Sequence, residues 1–176
     1  MARKQLTPLI LLLFVCLFSS LSYSALVIDG LLDETEWKEA SEVSGFYEVL
    51  PFTLKKTKYQ TKVLIYQNES GLYLGFTSYQ PQETMRTQHH ERDAWQTNAD
   101  RVGVVIDFDG DSLTAYEFSV SLGGSLRDVI FRDENDQNAD WDADWAASTS
   151  SSDKAWFTEM FIPWSVIPMK TQAGDF

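Results

Sequence analysis

Period-2 alternation is the feature that most constrains this chain. Apolar and polar residues trade places along Tyr59–Tyr66 (YQTKVLIY), Leu72–Tyr79 (LYLGFTSY), Val102–Phe108 (VGVVIDF), Ala115–Val120 (AYEFSV) and Leu126–Phe131 (LRDVIF). Residues two apart share one face of a strand, so each run offers an apolar stripe to a core and its other face to water. Gln67-Asn68-Glu69-Ser70-Gly71 joins the first two runs as a hairpin. Asp109-Gly110-Asp111 and Gly123-Gly124 supply the turn chemistry that makes the next three a meander. Trp145–Thr149 and Trp156–Ile162 read as further strands across Ser150–Lys154. Roughly seven or eight short strands, with turns about every ten residues, predict an all-β fold, an antiparallel β-sandwich with one or two short helices.

Helical signals are few. Asp33–Ala40 (DETEWKEA) has Asp33 at an N-cap position and Glu36 at capping-box spacing. Gln82–Glu91 is expected to hold a turn or two, and Pro163–Ile167 a single turn closed by Pro168. The run Ile28-Asp29-Gly30-Leu31-Leu32-Asp33-Glu34-Thr35-Glu36-Trp37 reads as strand, Asp-Gly turn and capped helix, with Trp37 returning to the core.

The first 24 residues have the layout of an export signal. Arg3 and Lys4 give a basic start, Leu9–Phe18 an apolar stretch, and Ser22-Tyr23-Ser24 a small-x-small cleavage site, so the mature chain is expected to begin at Ala25. The apolar stretch is shorter than the ~20 residues a membrane span needs. Cys16, in that stretch, is the only cysteine, which leaves the mature domain no disulfide and no thiolate metal site. Residues 25–176 contain no linker and no repeat and read as one domain. The closing Ala173-Gly174-Asp175-Phe176 looks like the start of another strand, so a C-terminal continuation is expected.

Charge narrows the function classes. Fourteen basic against 26 acidic residues give −12, and −14 over the 152 residues left once the first 24, with Arg3 and Lys4, are removed. Such a balance disfavours nucleic acid, which is held by Lys and Arg on phosphates. It equally disfavours an anionic membrane surface. No nucleophile elbow, phosphate loop or dinucleotide fingerprint occurs.

A family resemblance runs along the mature chain in order. It is carried by the Ile28–Trp37 run, by Leu72-Tyr73-Leu74-Gly75-Phe76, by Arg92-Asp93, and by Asp100-Arg101-Val102 leading into Val105-Ile106-Asp107. Ala115-Tyr116-Glu117-Phe118, Trp141-Asp142-Ala143-Asp144-Trp145 and Glu159-Met160-Phe161-Ile162-Pro163-Trp164 continue it. Together these resemble family 9 carbohydrate-binding modules, in the variant found N-terminal to an uncharacterised outer-membrane-barrel-like domain. The resemblance implies a β-sandwich, a carbohydrate ligand, often structural calcium, and a barrel-like C-terminal partner domain in a longer periplasmic or outer-membrane protein.

Candidate site residues follow from chemistry. Flat indole faces stack on C–H-rich sugar faces, and Trp95, Trp141 and Trp145 lie in polar, acidic stretches where a sugar platform could form; core packing is the other reading. Asp107, Asp109 and Asp111 alternate as calcium-loop oxygens would, but the twelfth position is Phe118 rather than an acid, so this is no EF-hand. An Asp/Gly hairpin turn is the favoured reading of them. Asp133, Asn135 and Asp136, followed by Asp140, Asp142 and Asp144, form a denser oxygen-rich stretch, either a hard-cation site or a solvated loop. His89-His90 lacks the spacing that brings two imidazoles onto one ion, and Asn68-Glu69-Ser70 matches a glycosylation acceptor within a turn. The expected function is a non-catalytic carbohydrate-binding module of an exported protein tied to carbohydrate catabolism. The alternatives are a structural module packed on a membrane barrel, or a hydrolase of O-glycosyl compounds, whose paired carboxylates no motif singles out.

Overall fold

The computed structural model describes residues 26–94, 97–133 and 136–167. Two antiparallel sheets face each other. The strands β1 (Ser41–Ser44), β2 (Thr61–Gln67), β3 (Gly71–Tyr79), β8 (Ala146–Ser151) and β9 (Ala155–Pro163) make a five-stranded sheet in the order β1-β2-β3-β9-β8. The strands β4 (Arg101–Ile106), β5 (Thr114–Ser121), β6 (Leu126–Arg132) and β7 (Asp136–Asn138) make a four-stranded meander in sequence order. The all-β antiparallel sandwich expected from the alternation is the fold observed.

Val63, Leu74, Phe76, Tyr116, Phe118, Val120, Ile130, Trp145, Met160 and Ile162 fill the space between the sheets. All but Trp145, which lies just ahead of β8, come from alternate positions of β2, β3, β5, β6 and β9, as period-2 patterning requires. A second buried layer, Leu26, Trp37, Tyr66 and Tyr73, lies on the outer face of the five-stranded sheet. There Tyr66 and Tyr73 are register partners, and Tyr73 stacks on Phe161 with centroids 4.6 Å apart. The N-terminal segment therefore covers that face as a strap, and β3 and β9 are buried on both sides. Gly75 is where strap and sheet meet most closely: a Cβ there would stand 2.7 Å from Leu32 and 3.2 Å from Trp37.

The short helices are shorter than the sequence suggests. Thr35–Lys38 forms one 3-10 turn, its N-cap residue is Glu34 rather than Asp33, and no side chain caps it. The reason is the indole of Trp37, whose N–H is shared between the Glu34 carboxylate at 3.0 Å and Glu159 at 3.1 Å. Tertiary contacts to the sheet outweigh the local capping box. Gln82–Thr84 and Trp164–Val166 are single 3-10 turns. In the β2–β3 hairpin, Asn68 Oδ1 accepts the N–H groups of Ser70 (2.8 Å) and Gly71 (3.3 Å), so this asparagine is spent on its turn.

Candidate functional site

The tryptophan candidates are placed unequally. Trp95 lies outside the described residues. Trp145 is 6% exposed, with its ring edge-on to Phe118 at 5.5 Å. Trp141 is half-buried and meets Tyr116 at 5.3 Å and Phe118 at 5.8 Å, both edge-on. Trp141 and Trp145 thus hold the crossing between β7 and β8 against the open side of the core.

An ion-pair node fastens the same crossing. Arg92 binds Asp128 through Nη2, Asp142 through Nε at 2.9 Å, and the Ala143 carbonyl at 3.1 Å. Asp128 is fully buried and also accepts the Ala143 N–H at 2.6 Å, while its own N–H donates to Asp93 Oδ1 at 3.0 Å. Burial pushes the Asp128 carboxyl above its usual range; the Ala143 N–H and Arg92 pull it back. Asp93, Asp128 and Asp142 come close enough to hold a metal ion, but the Arg92 guanidinium already supplies the positive charge there.

The expected calcium oxygens serve their turns. Asp107 Oδ1 accepts the N–H groups of Asp109 (3.1 Å) and Gly110 (2.8 Å), and its Oδ2 accepts that of Ser112 (2.7 Å). Asp111 Oδ1 accepts the Leu113 N–H at 2.9 Å. Asp133 N–H bonds the Leu113 carbonyl at 2.9 Å, which brings the β4–β5 and β6–β7 turns side by side. Asp107 and Asp133 consequently line one shallow hollow of about 170 Å³. Asp136 is exposed and pairs in register with Arg132; Asn135 lies outside the described residues. Asp109 is exposed in the same turn. His89 Nδ1 lies 2.9 Å from the Gly123 carbonyl, and His90 N–H donates to Ser125 Oγ at 2.7 Å, so both histidines staple their loop to the β5–β6 turn.

Two features had no signal in the sequence. The first is Glu159, fully buried in the middle of β9. Its carboxylate accepts the N–H groups of Asp29 (2.9 Å) and Gly30 (2.8 Å) and the Trp37 indole, and thereby holds the strap. Burial pushes its carboxyl up to about 7, with the Glu34 charge adding to the rise and the N–H donors opposing it. Asp29, Glu34 and Glu159 form the second three-carboxylate group among the described residues. The second feature is a groove of about 320 Å³ beside β1, lined by Glu42, Ser44, Gly45 and Phe46 on one side and by Lys56, Thr57, Gln60, Thr61 and Lys62 on the other. It combines one aromatic ring with hydroxyl, amide and ammonium groups. Its carboxylate, Glu42, is paired with Lys62 at 2.8 Å.

The fold and these sites define the class: a two-sheet β-sandwich with a polar groove at one edge and no paired carboxylates in it. Comparison with protein-family models, curated proteins and solved structures finds no match for this chain.

Proposed function

We propose that the chain is a non-catalytic carbohydrate-binding module of an exported cell-envelope protein, and that the groove beside β1 takes the glycan. The groove carries the reading. At about 320 Å³ it has room for a small saccharide, with Phe46 as the stacking face and Ser44, Thr57, Gln60 and Lys56 as hydroxyl-binding groups. Glycosidic cleavage needs two carboxylates about 5 to 10 Å apart, whereas the groove offers Glu42 in an ion pair. The sandwich fold agrees with the architecture that the sequence resemblance implies. A glycan array followed by amide chemical-shift mapping tests the site: shifts at 42–46 and 56–62 are expected, and shifts centred on Trp141 would move the site there.

Calcium enters this reading as a structural ion at Asp29, Glu34 and Glu159. A divalent cation there would offset the burial that chiefly raises the Glu159 carboxyl and the Glu34 repulsion that adds to it. Calcium should raise the melting temperature more at pH 8 than at pH 5, because the ion competes with a proton on Glu159. No shift with calcium or chelator removes the ion from the account.

A second reading has a specific observation behind it. The burial of Trp145 and the packing of Trp141 suit a structural module that packs on a barrel-like partner domain and binds no sugar. A flat response across the glycan array would favour it.

A further inference from the structure

Between β1 and β2 the chain leaves the sandwich as a narrow hairpin. Its legs are tied by Glu48 N–H to the Lys55 carbonyl at 2.8 Å, by Thr57 N–H to the Phe46 carbonyl at 3.4 Å, and by the Tyr47–Lys56 bridge. Leu54 N–H donates to the Glu48 carbonyl at 3.0 Å and the Thr53 hydroxyl to the Glu48 carboxylate at 2.7 Å, closing the tip. That tip presents Val49 (66% exposed), Leu50 (92%), Phe52 (78%) and Leu54 (56%) to water. Large apolar side chains contiguous on a protruding loop mark an interaction site. Leu54 also sits at φ +54, left-handed backbone that a leucine rarely adopts. Such strain persists where the shape of a loop matters.

Charge says what the tip meets. Residues 46–62 carry Lys55, Lys56, Lys58 and Lys62 against Glu48, a net +3 that leaves −15 on the rest of the chain. Lys62 is paired with Glu42, and the Lys58 ammonium lies 4.8 Å from the centre of the Tyr59 ring. Lys55 and Lys56 stand exposed behind the tip. An apolar wedge backed by a lysine collar, on an otherwise acidic body, is complementary to a surface that is greasy within and negative at its rim.

We propose that the 46–57 hairpin docks on an anionic phospholipid surface. Leu50, Phe52 and their neighbours enter the boundary between headgroups and acyl chains, the lysines meet phosphates, and the acidic body is repelled outward, which fixes orientation. An apolar cleft on another protein would need an acidic rim to meet the collar, which an anionic bilayer presents on every side. Whole-chain charge argues against membranes; its distribution creates one local exception.

Cosedimentation of the full chain with phosphatidylcholine vesicles, with and without phosphatidylglycerol, tests this directly. The expected result is binding that needs phosphatidylglycerol and weakens with salt. It should be lost in Leu50→Asp/Phe52→Asp and reduced by about fivefold or more per lysine in Lys55→Glu/Lys58→Glu. Amide exchange at 46–58 should slow on vesicle addition, which separates the hairpin from the apolar leader as the lipid contact. Neither variant pair lines the groove, so both should melt as the parent does and keep its saccharide affinity, making failure here distinct from failure of the glycan reading. Binding that ignores phosphatidylglycerol, that survives in the tip variant, or that leaves 46–58 unprotected overturns the proposal.

Discussion

Glu159 shows how much one side chain can organise. A carboxylate in the middle of a doubly covered strand is costly, and its backbone and indole donors offset that cost by fixing where the strap crosses the sheet. Its pKa of about 7 in the fold stands above the ordinary 4.5, so between those values the folded state keeps a proton that the unfolded chain has released. Stability from this group is present below pH ~4.5 and is lost as pH rises through about 7. Melting curves from pH 5 to 8 should show a decline, on the order of 1–3 kcal/mol, that Glu159→Gln flattens. A Gln variant with the parent's slope would contradict this account. Trp145→Ala should cost about 3–5 kcal/mol by leaving a cavity against Phe118, read from denaturant midpoints. Arg92→Met strips Asp128 of its cation and should cost about 1–3 kcal/mol, less than for a fully buried pair because Arg92 is partly exposed. Adding Asp128→Asn should recover part of the loss.

At the level of elements, the strap turns on Gly30. It sits at φ +89, its N–H reaches Glu159, and a Cβ would lie 2.8 Å from the Thr149 carbonyl carbon. Gly30→Ala should therefore destabilise by about 1–3 kcal/mol and speed amide exchange in the strap before the sheets. The long strands were readable because alternation survives wherever one face meets the core. Ser41–Ser44 was missed because all four residues are exposed, and Asp136–Asn138 because it is short and polar. The Asp33 capping box misled for a different reason: a buried acid on β9, distant in sequence, captures Trp37 and sets where the turn begins. The acidic setting of Trp145 misled similarly, since Arg92 draws neighbouring Asp142 into an ion pair while Trp145 turns to the core. The groove had no signature because β1, the hairpin root and β2 each contribute ordinary residues that only register brings together.

For the whole molecule, two sheets supply rigidity while one edge carries both candidate contact surfaces, the groove and the hairpin rising beside it. Phe46 and Lys56 belong to the root of the hairpin and to the groove wall. A chain docked by its tip would hold the groove near the surface it binds, where a cell-envelope glycan would be met. No described helix is long and apolar enough to cross a membrane. The central claim is that the groove binds saccharide, and isothermal titration of the purified chain against neutral and acidic oligosaccharides tests it most directly. The account predicts saturable heat with one sugar class, weakened about tenfold or more in Phe46→Ala/Gln60→Ala with melting unchanged. No heat from folded protein across the panel, or affinity that the variant retains, would contradict it.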